Sequence, residues 1–231
     1  MKLPQKADLM PWMARVISSP TTRHCRQAVF RWKAQLKGEG TVVDVFINPR
    51  DPFSFVLLQA LPNLTNRFDI QLCFRTVWHQ PADMFPEPAM WADWAIRDAA
   101  RLADLYGLEP PGLHTPPTEA TLIACRDYLL GLERAGSYLA QASAIMGTLW
   151  QTGKPGAIEE GAPTTPELEE RLGSNEQHLI RLGHHQGSML HFRGEWFWGV
   201  PSFRYGTVSC WGQDRLWVIE GEIAKEMKPH E

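Results

Sequence analysis

The stretch GVPSFRYGTVSCWGQDRL, residues 199–216, decides how the fold of this chain is interpreted. It places the step Val200–Pro201 ten residues before a Trp-Gly-Gln-Asp-Arg-Leu run. An X-Pro bond adopts the cis form far more easily than any other peptide bond, so a proline in a short loop can turn backbone N–H and C=O groups toward a ligand. The alternative is a trans proline that ends a strand in an ordinary turn.

The second half of this stretch predicts a strand end that turns into a helix. Gln213 and Asp214 stand where a helix start gathers polar groups and ligands. Asp214 and the following Arg215 also suit a plain helix-start carboxylate with a surface partner. The pattern therefore predicts a ligand site at this end of the chain, without naming the ligand.

The composition of the chain limits the classes of function that we expect for it. The chain has 231 residues, of which 44% are hydrophobic, and ten tryptophans, enough for a sizeable core. Its net charge of −3 gives no reason to expect nucleic acid as a partner. Because we find neither a signal-peptide pattern nor an apolar run of membrane-spanning length, we expect a cytoplasmic protein that does not bind membranes.

The four cysteines argue against dithiol chemistry. They stand at positions 25, 73, 125 and 210, and no C-x-x-C occurs. A thioredoxin-type oxidoreductase needs two close sulfurs, one to attack and one to resolve the mixed disulfide. We therefore expect four free thiols.

The order of predicted elements indicates an α/β protein. A strand over 41–47 precedes a helix over 53–67 and a second strand over 68–77, so the start is a βαβ unit with a parallel pair. Pro62 is expected to bend or split this helix. Helices follow over 90–106, 118–134 and 137–151, then strands and a last helix. Near the end of the helical part, Thr164 with Glu167, and Ser174 with Gln177, match capping boxes.

Two motifs together resemble the DsbA-like thioredoxin-fold family, in the branch of 2-hydroxychromene-2-carboxylate isomerases and kappa-class glutathione transferases. They are the pattern GVP-(ten residues)-WG-x-DR-L and the run over 51–55, which is similar to an S-P-Y-S-Y-type motif. The resemblance implies a thioredoxin-like domain over 39–80 and 184–231 with an inserted helical subdomain over 81–183. The residues before it predict a helical N-terminal extension over 1–38, with short helices over 7–17 and 21–36. It also implies glutathione, a small-molecule substrate and a possible homodimer.

The resemblance implies roles for named residues at the start of the first helix. The family's glutathione-activating serine falls on Asp51, which when ionised accepts hydrogen bonds and repels a thiolate. Either Asp51 is protonated, or Ser54 turns its hydroxyl to the ligand, or Asp51 is the N-cap of the helix. The catalytic candidates are therefore Asp51 and Ser54.

The glutathione-binding candidates are Pro52, Val200, Pro201, Gln213 and Asp214. By resemblance, the backbone of Val200 pairs with the cysteinyl part of glutathione, and Gln213 and Asp214 bind its γ-glutamyl end. A second alignment is open, because Trp198–Gly199 and Trp211–Gly212 repeat at a spacing of thirteen residues. It places Ser188 where the cis-proline is expected. We prefer the later alignment, which keeps both the proline and the Asp-Arg pair.

The predicted function is that of a glutathione-dependent isomerase or transferase acting on a small aromatic or conjugated electrophile. One alternative is a catalytically silent binding module with the same fold, favoured by Asp51 in place of the serine. Another is a thiol-disulfide oxidoreductase without C-x-x-C. We expect no metal, since the histidines at 178, 184, 185 and 191 lack the usual ligand spacing.

Overall fold

The fold is taken from a computed structural model of the chain. It describes residues 41–79, 87–133, 136–184, 187–193, 195–197, 203–205, 208–210 and 216–225, and single positions at 19, 21, 22, 25, 28, 29, 32, 36, 227 and 229. The predicted N-terminal extension over 1–38 therefore lies almost wholly outside the described residues. So do Val200, Pro201, Gln213 and Asp214.

The chain begins its described fold with a βαβ unit, as predicted. Strand β1 (Val42–Ile47) leads into helix α1 (Pro52–Arg67), which leads into strand β2 (Gln71–Thr76). The two strands are parallel and in register over their full length, from Val42 beside Gln71 to Ile47 beside Thr76. This confirms the predicted parallel pair.

Four helices separate β2 from the next strand. They are α2 (Pro88–Tyr106), α3 (Glu119–Leu132), α4 (Tyr138–Thr152) and α5 (Pro166–Arg181). Two hairpins follow, β3 (Met189–Phe192) with β4 (Glu195–Phe197) and β5 (Phe203–Tyr205) with β6 (Val208–Cys210), before helix α6 (Leu216–Ile223). The main sheet has the order β2-β1-β3-β4, and β5–β6 form a separate two-stranded sheet.

Strand β1 is central and packs on both faces, as its apolar sequence predicts. Val43, Val45 and Ile47 point into the main core together with α1, α2 and α4. Phe46 points to the opposite face and packs against Leu179 of α5. Helices therefore pack on both faces of β1, and the start of α1 lies just beyond the end of this strand.

Of the two outcomes predicted at Pro62, a split does not occur, because α1 is continuous from Pro52 to Arg67. Two other local predictions about helices are wrong. Helix α5 is also continuous and runs through Ser174, so no second helix begins there. Its N-cap is Thr165 and not Thr164, whose hydroxyl donates to Asp127 Oδ2 of α3 at 2.7 Å.

Candidate functional site

The N-terminus of α1 follows directly from the central strand and is buried. Asp51 is its N-cap: the backbone is extended, and Oδ1 accepts a hydrogen bond from the N–H of Phe53 at 3.0 Å. Pro52 occupies the first turn, where its missing N–H leaves nothing unpaired. The N-cap interpretation of Asp51 is therefore confirmed.

Ser188, which immediately precedes β3, meets this helix start. Its hydroxyl donates to Asp51 Oδ2 at 2.8 Å and lies 2.6 Å from the hydroxyl oxygen of Ser54. The N–H of Asn48 donates to Ser54 Oγ at 2.9 Å. The side chains of Asp51, Ser54 and Ser188 are at most 2% exposed. We call these three residues the Asp51 cluster.

The protons of the Asp51 cluster can be assigned. With Asp51 ionised, the one proton of the Ser188 hydroxyl goes to Asp51, so Ser54 is the donor in the bond between the two serines. The chain of donors runs from Asn48 through Ser54 and Ser188 to the carboxylate. Ser54 therefore directs its proton at Ser188 and not at a ligand in this arrangement.

The loop that carries Ser188 is tightly fitted. A Cβ added to Gly187 would lie 2.5 Å from the Cβ of Asn48 and 3.1 Å from Val77 Cγ2, so only glycine fits there. Ser188 has a φ of 58°, a left-handed backbone that costs a non-glycine residue free energy. The contacts of the Asp51 cluster hold the loop in this conformation.

A cationic edge borders the cluster. The guanidinium of Arg50 stacks over the ring of Trp78 at 3.8 Å from its centroid, and that of Arg126 lies 5.1 Å from the same centroid. Both cations are already paired with carboxylates, Arg50 with Glu119 and Arg126 with Asp127. Both guanidinium groups are therefore already engaged with a carboxylate and with the Trp78 ring.

The thiols of Cys73 and Cys125 do not suit nucleophilic chemistry. Cys25, Cys73 and Cys125 are free. Burial raises the pKa of Cys125 to about 12, with Glu160 adding to the effect. Burial likewise raises the pKa of Cys73, against the lowering effect of Arg75. Both thiols therefore stay protonated at neutral pH, and a thiolate is what attacks.

Sequence reasoning found part of this site. Asp51, Pro52 and Ser54 meet as predicted from their adjacency, and Ser188 joins them from the hairpin of the earlier alignment. No peptide bond within the described residues is cis, and the Val200–Pro201 bond lies outside them. Asn48 was missed, although a polar residue directly after a buried strand and before a helix is a recognisable signal.

The described residues add two further findings. No described helix has the length and apolarity needed to cross a membrane. No group of three or more His, Cys, Asp or Glu side chains in the described ranges could hold a metal ion.

Replacing Asp51 with alanine is expected to lower the free energy of unfolding by about 1–2 kcal/mol, because α1 loses its cap and Ser188 loses its acceptor. Asp51→Asn is the matched control, since its remaining oxygen can still cap Phe53. Urea denaturation measures both changes. An alanine variant as stable as the wild type would show that the cap contributes nothing.

Comparison with known proteins supports the fold. No protein-family model and no curated protein matches the chain. A solved structure of 2-hydroxychromene-2-carboxylate isomerase matches with a TM-score of 0.55 and 17% sequence identity, over 80% of this chain and 95% of that chain. At this identity the likeness concerns the fold alone, and it confirms that the chain has a thioredoxin-like α/β fold of the DsbA type.

Proposed function

We propose that the protein is a glutathione-dependent isomerase or transferase that acts on a small aromatic or conjugated electrophile. The observation that carries the proposal is the position of the Asp51 cluster. It lies where a central strand ends, at the N-terminus of a buried helix, beside a residue that precedes an antiparallel strand. In a thioredoxin-like fold this is the place where a thiol is held, because a helix N-terminus favours a thiolate.

The roles follow from the resemblance, and of the residues concerned the structure describes Asp51, Pro52 and Ser54. Pro52 shapes the first turn of α1, and Asp51 and Ser54 lie beside the sulfur. Val200 and Pro201 contribute backbone groups to the cysteinyl part. Gln213 and Asp214 receive the γ-glutamyl end, where Asp214 pairs with the ammonium group. When bound, glutathione supplies the thiol that adds to the electrophile.

The Asp51 cluster does not fit a thiolate in the arrangement described. An ionised Asp51 already accepts the N–H of Phe53, and the hydroxyl of Ser54 already donates to Ser188. A sulfur placed there would meet a carboxylate and find no free hydroxyl donor. The site therefore has to release Ser188 before it can hold glutathione.

The same observation favours a second candidate, a catalytically silent module that kept the fold. In that case the Asp51 cluster is a closed structural cap, and glutathione does not bind. The thiols of Cys73 and Cys125 give an oxidoreductase role no support, because both have raised pKa values.

Glutathione titration of the thermal unfolding midpoint separates the two candidates. A bound ligand at about 100 times its Kd raises stability by about 2.7 kcal/mol, or roughly 5–10 °C for a chain of this size. We expect a saturable rise with a Kd below about 1 mM, weakened at least tenfold by Asp214→Ala. Glu170→Ala, an exposed carboxylate on α5, is the control. A flat titration up to about 10 mM would reject the glutathione-dependent enzyme and leave the silent module as the remaining candidate.

A further inference from the structure

Strand β2 forms one edge of the main sheet. In the sheet order β2-β1-β3-β4 it has a neighbour only on the side of β1. The N–H of Gln71 donates to the carbonyl of Thr41, and that of Val77 to the carbonyl of Ile47, both at 2.9 Å. Because the N–H and C=O groups of successive residues in a strand point to opposite sides, residues 72, 74 and 76 point away from β1.

The outward groups at the C-terminal end of β2 already have partners. The N–H of Thr76 donates to Glu133 Oε1 at 2.5 Å, and its carbonyl accepts from Asn175 Nδ2 at 2.9 Å. Just beyond the strand, the N–H of Trp78 donates to Glu176 Oε1 at 3.2 Å. Side chains of α5 and of the residue after α3 therefore close this end of the edge to another strand.

The open part of the edge is short. On its N-terminal side, the N–H of Ile70 is used by the carbonyl of Phe68 at 2.9 Å. Between the two closed ends, no described residue provides a hydrogen-bond partner for the outward N–H and C=O groups of Leu72 and Phe74. Both residues are only half-buried. An edge with unpaired backbone groups accepts a further strand, so a strand can add here over 72–74.

The opening is complementary to itself, because it is symmetric about Cys73. In an antiparallel pair of two β2 strands, Leu72 opposes Phe74 of the second copy, Phe74 opposes Leu72, and Cys73 opposes its own counterpart. The two Leu72–Phe74 pairs are hydrogen-bonded pairs, so they use all four open groups of each chain. The next outward pair would set Ile70 against Thr76, where the N–H of Ile70 and both groups of Thr76 are taken. The ladder therefore ends where the closed ends begin.

The side chains along β2 also suit a second copy. Leu72 and Phe74 pack against the main core, and in the pair each gains an apolar neighbour from the other chain. On the opposite face, Arg75 opposes Gln71 of the second copy, so no like charges meet. The exposed carboxylate of Asp69, two residues before Gln71, adds negative charge at the end that meets the second copy's Arg75. Two-fold symmetry supplies all of these matches at once.

We propose that β2 pairs with β2 of a second copy, antiparallel and in register through Cys73. The pairing joins two four-stranded sheets into one sheet of eight strands across a two-fold axis. It does not depend on the proposed function, since its residues are separate from Asp51, Ser54 and Ser188.

Opposite charges at position 73 test the register through the oligomeric state. Sedimentation velocity of the full chain from about 1 to about 200 µM should show a monomer–dimer equilibrium, since this range covers the affinities of small interfaces. Cys73→Glu and Cys73→Lys each set two like charges on the two-fold axis and should weaken dimerisation at least about tenfold. An equimolar mixture of the two variants should restore it, because the facing charges are then opposite. Leu105→Glu, at an exposed position of α2, controls for the added charge.

Disulfide formation gives an independent readout with the native side chain. Residues that face each other in a non-hydrogen-bonded antiparallel pair have Cα atoms about 4.5 Å apart, within the range of a disulfide. Oxidation by oxygen with a copper catalyst should therefore join two chains through Cys73. Because burial raises the pKa of this thiol, the reaction is run at about pH 9. The covalent dimer should be lost in Cys73→Ser and kept in Cys25→Ser, whose thiol is exposed.

Each other occupant of the edge predicts a different outcome. If the chain's own residues before β1 or an unrelated peptide cover β2, the protein stays monomeric and forms no crosslink through Cys73. If two copies associate through another surface, dimerisation survives in Cys73→Glu and Cys73→Lys. If β2 pairs in another register, mixing the two variants restores nothing. Any of these results overturns the proposal, and none of them bears on glutathione binding.

Discussion

Asp44→Ala is expected to lower the free energy of unfolding by about 3 kcal/mol near neutral pH, the largest effect of any single change considered. The carboxylate lies on the central strand and accepts from Arg75 Nε at 3.1 Å. His178 Nε2 and His191 Nδ1 each lie 3.8 Å from one of its oxygens. Removing it leaves three basic groups from β2, α5 and β3 without their shared acceptor.

The pH dependence of stability provides a second measurement on Asp44. Burial raises the pKa of this carboxyl, but the two imidazoles and Arg75 outweigh burial and hold it well below its usual value. Because the folded pKa is lowered, this stabilisation is present above the unfolded pKa of about 3.9 and is lost as pH falls below it. The Asp44→Ala variant should therefore not show this part of the loss of stability at acid pH. Asp69→Ala, at an exposed turn, should change stability by less than about 0.5 kcal/mol. An equal effect of the two substitutions would contradict the expectation.

Glu133→Ala is expected to lower the free energy of unfolding by about 2 kcal/mol. Its Oε1 accepts from the backbone N–H of Thr76 at 2.5 Å and from Asn175 Nδ2 at 2.8 Å. Asn175 also donates to the carbonyl of Thr76 at 2.9 Å. These bonds tie the end of β2 to α3 and α5, and alanine leaves the buried donors unpaired. Urea denaturation at pH 7 measures the loss.

Glu133→Gln is the matched variant and is expected to be at least as stable as the wild type at pH 7. It keeps an acceptor oxygen but carries no charge. Burial raises the pKa of Glu133, more than its hydrogen bonds to Thr76 and Asn175 and the charge of Arg171 lower it. The stabilisation from its protonated form is therefore full below the unfolded pKa of about 4.3 and is lost as pH rises through the folded pKa. A glutamine variant as unstable as the alanine variant would show that the charge itself is needed.

The features that the sequence predicted well are determined by residues close together in the chain. The parallel βαβ start follows from the apolar strand over 42–47 and from the turn before α1, where Asp51 and Pro52 carry their own capping chemistry. The thioredoxin-like fold followed from motifs at the two ends of the chain. Such patterns involve short segments of sequence, and the folded chain keeps the local structure that they predict.

The features that the sequence predicted poorly depend on contacts between residues far apart in the chain. Thr164 has the spacing of a capping box, yet its hydroxyl is used by Asp127, thirty-seven residues away. The contact of Ser188 with Asp51 spans 137 residues and needs a left-handed backbone that no local pattern announces. The choice between the two alignments is of the same kind, because it depends on which distant hairpin pairs with β1, and in the structure β3 is that partner.

The two hairpins have the same spacing, because β3 pairs with β4 and β5 with β6 at positions thirteen residues apart. Their sequences agree at Trp198–Gly199 and Trp211–Gly212 and differ at most other positions, such as Ser188 against Pro201 and Trp196 against Ser209. Deleting thirteen residues between corresponding positions of the two segments would therefore leave one hairpin of unchanged spacing in front of α6.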